Sequence, residues 1–343
     1  MNKNVFQTAR RSFIAASAAT IIFSVFGTAA HAAQDTLTIG LIPAEDSQAM
    51  IESSKQVIEQ LERESGMKVE PFVATDYNGI IEALRAKKLD VAYLGPFSYV
   101  LASSVADVEA FAVAVTKKTG KSAYKSLIVV RADSGIDNVD QLKDRTFAFV
   151  DPSSTSGHLF PKAGLENDGY KPEELFSRVV FSGSHDASLL AVANKKVDAA
   201  AVADRIYASA ISKGQLAQDD LKVVWSSSDI PESPMVWRKD LDPSVKEKVA
   251  KALANIKDVP WGDQGMLNGF QATDDAAYNV VRDTAKERAV PLPRSRRRHQ
   301  VSAEPSARDS AQISRATASA ARTSPARSDS SAHGTAKCAR TWR

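Results

Sequence analysis

A nine-residue pattern occurs twice in this chain, roughly a hundred residues apart, and it limits the folds open to it. Leu84-Arg85-Ala86-Lys87-Lys88-Leu89-Asp90-Val91-Ala92 is echoed by Val192-Ala193-Asn194-Lys195-Lys196-Val197-Asp198-Ala199-Ala200. In each copy an apolar-faced helix runs into paired lysines, then an apolar residue, an aspartate and a strand-like run. The lysines suit the partial negative charge at a helix C-terminus. Two junctions built alike point to two similar α/β lobes, each about a hundred residues long. Chance likeness between two αβ junctions is the rival reading. Asp90 and Asp198 read as structural, one at each junction.

The rest of the body keeps the same alternation. Thr36 to Pro43 contains a strand, and Met50, Val57, Ile58 and Leu61 follow at helical spacing. Val69 to Val73 alternates as a strand, Asp76-Tyr77-Asn78-Gly79 opens a helix carrying Ile80, Ile81 and Leu84, and Leu89 to Leu94 is a further strand. Strands alternating with helices predict a mostly parallel sheet with covering helices. Two extended runs are candidates to join the lobes. One is Ser126 to Val130; the other runs from Lys222 to Trp225 and on through Pro231 and Pro234 to Trp237. If both cross, the chain leaves the first lobe and returns to it, two crossings make a hinge, and the cleft between the lobes becomes the site.

The ends differ from the body. Lys3, Arg10 and Arg11 precede an apolar run from Phe13 to Phe26, and Ala30-His31-Ala32 is a small-x-small cleavage signal, so residues 1–33 read as a removable leader. Arg10-Arg11 fits both a Sec and a twin-arginine leader. From about residue 291 the chain is rich in Arg, Ser and Ala with no apolar period, and Arg294 to Arg343 has no Leu or Phe. Such a segment cannot bury enough surface to fold. It reads as an aberrant end, frameshifted for example, rather than as a nucleic-acid-binding tail. The expected organisation is a first lobe over 34–122, a second over 123–225, a return to the first over 226–290, and the tail over 291–343.

Charge and cysteine content exclude several functions. The formal net charge is +3, but the leader and the tail are strongly basic and leave roughly −8 for the body. An acidic body does not bind nucleic acid through a basic surface. Any anion it holds is held by local dipoles and hydrogen bonds. Cys338 is the one cysteine, so the body has no disulfide and no four-cysteine or Cys₂His₂ zinc site. Neither a metal nor a cofactor is expected.

The most suggestive chemistry lies at Asp151-Pro152-Ser153-Ser154-Thr155-Ser156-Gly157-His158. The strand-like run Thr146 to Val150 precedes it, and a helix is predicted from Gly157 onward. The first turn of a helix has N–H groups without internal partners and a partial positive charge. With the hydroxyls of Ser154, Thr155 and Ser156 added, the turn becomes a cradle for a tetrahedral oxyanion. The plainer reading is a helix cap, which needs only one Ser or Thr.

Several blocks together resemble the phosphonate-binding periplasmic proteins of ABC importers. They are Asp76 to Ile81, Asp151 to Gly157, Ala191 to Asp198, and Ile230-Pro231 through Val236-Trp237-Arg238-Lys239. They occur in family order, within a likeness that spans about residues 37 to 287. The resemblance implies a two-lobed α/β venus-flytrap fold of type II with a hinge of two crossing segments. It also implies a ligand-binding set of Tyr77, Tyr124, Ser154, Thr155, Ser156, His185 and Asp204. His185 is expected to donate to a phosphonate oxygen, adding charge if protonated. Family members that bind aminoalkyl phosphonates use acidic residues against the ammonium. One such position falls near Asp204-Arg205 and the other on Ser233, beside Glu232. The serine puts a preference for 2-aminoethylphosphonate in doubt.

The expected function is therefore a monomeric periplasmic binding protein without catalytic activity, which hands a phosphonate-like oxyanion to an ABC permease. Three other readings stay open. One is a binding protein for phosphite, phosphate or a sulfur oxyanion. Another is a serine hydrolase using Ser154, His185 and Asp204, although no Gly-x-Ser-x-Gly elbow supports it. The last is a sensor domain that works with a separate membrane partner.

Overall fold

The computed structural model describes residues 34–117, 120 and 122–288. The leader and the tail read from the sequence lie outside the described residues.

The chain first builds β1 (Thr36–Leu41), α1 (Ser47–Ser65), β2 (Lys68–Val73), α2 (Tyr77–Arg85), β3 (Val91–Tyr93), α3 (Pro96–Val105) and β4 (Val108–Thr116). Then come β5 (Ala123–Tyr124), β6 (Ser126–Arg131), β7 (Arg145–Phe149), α4 (Phe160–Asn167), α5 (Pro172–Leu175), β8 (Phe176–Phe181), α6 (His185–Ala193), β9 (Ala199–Ala203), α7 (Asp204–Ser212) and β10 (Leu221–Ser226). The last part holds β11 (Ile230–Pro231), β12 (Pro234–Arg238), α8 (Pro243–Asn255), β13 (Leu267–Ala272) and α9 (Asn279–Glu287).

Two main sheets result. One has six strands in the order β13-β4-β12-β3-β1-β2; the other has five in the order β10-β6-β9-β7-β8. The short strands β5 and β11 pair with each other, Ile230 opposite Tyr124 and Pro231 opposite Ala123. The chain passes from the six-stranded lobe to the five-stranded lobe through β5 and returns through β11, so this antiparallel pair is the hinge.

The second crossing, Ile230–Pro231, lies inside the run suggested from Lys222 to Trp237, whereas the first, Ala123–Tyr124, lies just before the run suggested at Ser126 to Val130. Ser126 to Val130 lies inside β6 and Lys222 to Trp225 inside β10, and these two strands pair within the second lobe. The expectation of mostly parallel sheets also needs correcting. β1 is parallel to β2 and β3, and β7 is parallel to β8 and β9. β12 runs antiparallel to β3 and β4, and β6 antiparallel to β9 and β10. The cause is the hinge: β4 and β10 run towards it while β12 and β6 run away from it, so each lobe gains antiparallel strands.

The repeated junction is the same structure twice. α2 and α6 each end in a lysine in the left-handed region, Lys87 at φ 57° and Lys195 at φ 61°. The aspartates then tie the helix-to-strand turn to the neighbouring parallel strand. Asp90 Oδ2 accepts from Thr38 N at 3.0 Å, and Asp198 Oδ2 accepts from Thr146 N at 2.8 Å. Reciprocally, Asp90 N donates to Thr38 O and Asp198 N to Thr146 O. Arg238 from β12 adds a 2.9 Å bond to Asp90. The structural reading of both aspartates fits these bonds. Buried apolar strands form the interior of each lobe, with Leu37, Ile39, Val91 and Val236 in the first and Ile128, Phe147, Ala199 and Ala201 in the second.

Candidate functional site

The turn between β7 and α4 is wider than an ordinary helix start. Over Thr155–Leu159 the bonds run from residue i+5 to residue i: Leu159 N donates to Ser154 O at 3.0 Å, and Phe160 N to Thr155 O. Such wide turns recur at functional sites. Ser154 is the cap, with Oγ accepting from Gly157 N at 3.1 Å. The plain cap reading thus holds for one of the three hydroxyl residues. Thr155 and Ser156 serve elsewhere.

Thr155 Oγ1 accepts from Phe97 N at 2.8 Å. Phe97 is the second residue of α3 in the other lobe, and Gly95, the residue that caps α3, has no side chain to satisfy that N–H. A threonine of one lobe therefore caps a helix of the other. Beside it, Ser98 Oγ donates to Ser153 O at 2.9 Å. Two helix starts, one from each lobe, converge on the same hydroxyl, and both carry partial positive charge.

Two tyrosines complete the cradle. Tyr77, the first residue of α2, meets the Ser154 hydroxyl, and Tyr124, on the hinge strand β5, meets the Ser156 and Thr155 hydroxyls. Ser126 Oγ donates to Ser156 O at 2.6 Å and fixes that residue from below. Burial raises the Tyr77 phenol far above its ordinary value, with the Asp151 carboxylate adding to the effect. Burial also pushes Tyr124 up to about 12, against the opposing pull of the Arg205 charge. Both phenols keep their protons and can donate to an anion.

His185 begins α6. Its backbone N–H donates to Ala44 O of the first lobe at 2.8 Å, and its Nδ1 accepts from Ala203 N at 3.1 Å. An accepting Nδ1 leaves the proton on Nε2, so the ring is a neutral donor. Burial, helped by the nearby Arg205 charge, pushes its pKa down to about 3. The condition under which it would add charge is not met: a buried imidazole beside a guanidinium stays neutral at physiological pH. The sign of its effect on stability follows. The folded value lies below the ordinary 6.5, so this contribution is complete above pH 6.5 and is lost as pH falls towards about 3. Urea unfolding at neutral and acid pH should show wild type losing more stability across that window than His185→Gln. Equal losses would mean that the imidazole is not held neutral.

Asp204, the first residue of α7, lies apart from the hydroxyls. Its Oδ1 accepts from Arg205 N at 2.8 Å, and it lines a neighbouring cleft of about 540 Å³. Tyr124, Arg205, Lys213, Glu232 and Gln264 also line that cleft. Ser154, Thr155, Ser156, Tyr77 and His185 do not; they are at most 5% exposed and packed between the lobes. Tyr124 is the side chain common to cradle and cleft. Arg205 entered only through the position that falls near Asp204-Arg205, and Lys213 and Gln264 were not singled out from the sequence. Phe97 was not either, although Gly95-Pro96-Phe97-Ser98 after a strand carries the helix-start signal of proline at the first position.

The serine-hydrolase arrangement is not formed. A triad base donates its Nδ1 proton to the carboxylate that orients it. Here Nδ1 accepts a backbone N–H, and Asp204 binds the start of its own helix. Among the described residues no group of three or more His, Cys, Asp and Glu is placed to hold a metal ion, and no helix is long and apolar enough to cross a membrane.

Two lobes joined by a two-strand hinge, with a buried hydroxyl cradle at their junction, define the class of two-lobed solute-binding proteins. Residues 39–278 match the family described as ABC transporter, phosphonate, periplasmic substrate-binding protein, and the chain belongs to it. It is 36% identical over 271 residues to the phosphonates-binding periplasmic protein of Escherichia coli, covering 75% of this chain and 78% of that one. It is 35% identical over 268 residues to the phosphate-import protein PhnD of Mycolicibacterium smegmatis, covering 74% and 83%. Among solved structures, the binding component of an ABC phosphonate transporter from Pseudomonas aeruginosa superposes with a TM-score of 0.68 at 30% identity, covering 75% of this chain and 87% of that one.

Proposed function

We propose that this protein captures a phosphonate-like oxyanion in the periplasm, closes around it, and presents it to an inner-membrane ABC permease without altering it. The leader read in residues 1–33 would carry it there, and it would act as a monomer. The observation that carries the proposal is the bond from Phe97 N to Thr155 Oγ1. It brings a helix start of one lobe onto the hydroxyl turn of the other, so an anion seated there touches both. A ligand favours the closed arrangement only through contacts that the open one lacks. Charge-assisted hydrogen bonds contribute about 1.5–3 kcal/mol each, and several together support micromolar or tighter binding.

The likeness to a protein named for phosphate import makes phosphate the competitor to test. The experiment is a thermal-shift screen followed by calorimetry with methylphosphonate, phosphite, phosphate and sulfate. A binder raises the melting temperature by mass action. Methylphosphonate is expected to give the larger shift and phosphate a smaller one. Phosphate binding tighter than every phosphonate tried would move the assignment to phosphate. No shift with any of these anions would remove the oxyanion reading altogether.

A further inference from the structure

The cradle hydroxyls are buried between the lobes, so an anion reaches or leaves them only when the lobes part. Bonds that join the lobes without touching the anion therefore help to set how long it stays. One loop of the first lobe makes such bonds from three consecutive residues. Ala44, Glu45 and Asp46 lie in the turn between β1 and α1, the counterpart of the hydroxyl turn between β7 and α4. Asp46 caps α1 as Ser154 caps the hydroxyl turn. Ala44 O accepts from His185 N at 2.8 Å, Glu45 Oε1 accepts from Lys213 Nζ at 3.2 Å, and Asp46 N donates to Asp186 Oδ2 at 3.0 Å. These partners lie at the start of α6 and just past the end of α7, all in the second lobe.

The middle bond differs from its neighbours because it joins two charges of unequal burial. Glu45 is 5% exposed, and its Oε2 is buried without a hydrogen-bond partner among the described residues. Lys213 follows α7, lines the cleft, and keeps 38% of its side chain exposed. Closing the lobes thus holds the carboxylate out of water, and Lys213 is the cation with which it pairs. A buried carboxylate opposes closure unless a cation comes with it. The reverse does not hold, since the half-exposed ammonium can turn to solvent when its partner is lost.

We infer that Glu45 and Lys213 form a charge latch beside the cleft, which holds the lobes closed over the bound anion and sets its dwell time without touching it. Both are positioning residues for binding rather than parts of the anion site. The kinetic consequence rests on the oxyanion reading above, whereas the latch itself concerns the two lobes alone. Its signature is an asymmetry. Without Lys213 the closed form buries an unpaired charge, which is far costlier than losing both partners. With Glu45 also made neutral, that penalty disappears, and the bonds of Ala44 and Asp46 to the second lobe remain. Removing the charge of Glu45 alone strands only an ammonium that water can reach.

The test is stopped-flow kinetics of the full protein with methylphosphonate and, in parallel, phosphate. Wild type is compared with Lys213→Met, Glu45→Gln and the double variant. Lys213→Met should release the anion at least about tenfold faster, equal to about 1.4 kcal/mol, with the association rate little changed. Glu45→Gln should alter release by less than about threefold, and the double variant should return to within about threefold of wild type. Lys213→Gln is read alongside and should match Lys213→Met, so that the test survives a variant that fails to fold. Release unmoved by loss of Lys213, or a double variant as fast as Lys213→Met, overturns the latch and leaves the oxyanion reading standing. If wild type binds neither anion, the oxyanion reading falls, and the latch is decided in the ligand-free protein by spin-label distances across the cleft. Lys213→Met should then shift the population to longer distances and the double variant should restore it. Identical distributions in all the proteins overturn the latch.

Discussion

Gly157→Ala should reduce oxyanion affinity by at least a hundredfold, about 2.7 kcal/mol, while Gly164→Ala lowers stability and leaves affinity alone. A β-carbon on Gly157 would lie 2.4 Å from both Cβ and Cγ2 of Val150 and 2.8 Å from Ser154 Oγ. None of these neighbours can yield. Val150 is fully buried, and its N–H donates to Gly157 O at 2.9 Å, locking the two residues together. Overpacking a tight core costs about 1–3 kcal/mol. The turn can relieve the clash only by lifting away from β7, which moves Ser154 and Thr155 out of register with Tyr77 and Phe97. Gly164 is the matched control. Its added β-carbon would meet the Trp225 ring at 2.1 Å, an equally severe clash, but on the α4 face turned towards β10. Melting curves and calorimetry on both variants separate the effects. A folded Gly157→Ala protein with native affinity would show that the turn is not the anion site.

What the sequence made legible was local, and what it concealed depends on the third dimension. The two αβ junctions could be read because each is a pattern a few residues long, Lys87 to Asp90 and again Lys195 to Asp198, and their bonds to Thr38 and Thr146 follow from that register. The turn at Ser154 to Ser156 could be read because hydroxyls cluster where a strand meets a helix. The hinge could be read only in part: Ile230–Pro231 falls inside a suggested run, and Ala123–Tyr124 does not. β5 and β11 are two residues each, too short to leave any period, whereas Ser126 to Val130 is the β-branched run that both a linker and a buried strand would show. The division of labour within the turn was hidden for another reason. No pattern distinguishes a cap from a hydroxyl that serves Phe97, 58 residues away in sequence. The neutral state of His185 is set by burial and by the charge of Arg205, which comes from the next helix.

That division of labour makes Ser154→Ala and Thr155→Ala behave differently. Ser154 Oγ accepts from Gly157 N within one lobe, in every arrangement of the two lobes. Removing it should cost about 1 kcal/mol of folding stability, the usual size of a lost cap. For a body of this length that lowers the melting temperature by roughly 2–4 °C, with or without ligand. Thr155 Oγ1 has its partner across the cleft. In an open protein water can take the place of that partner, so Thr155→Ala should hardly change the melting of the ligand-free form. In the closed protein the variant leaves Phe97 N buried without an acceptor, at a cost of about 1–3 kcal/mol, and the ligand loses a hydroxyl donor at the same point. Affinity should therefore fall about five- to hundredfold. Thr155→Ser restores the hydroxyl and should recover most of the loss, which a purely steric role for the methyl would not allow. Small-angle scattering with saturating ligand gives a further readout: Thr155→Ala should stay more extended than wild type at equal occupancy, and Ser154→Ala should not. If Thr155→Ala instead melts early while binding and closing like wild type, the hydroxyl belongs to the fold of the second lobe, and the convergence of the two helix starts has no part in holding the anion.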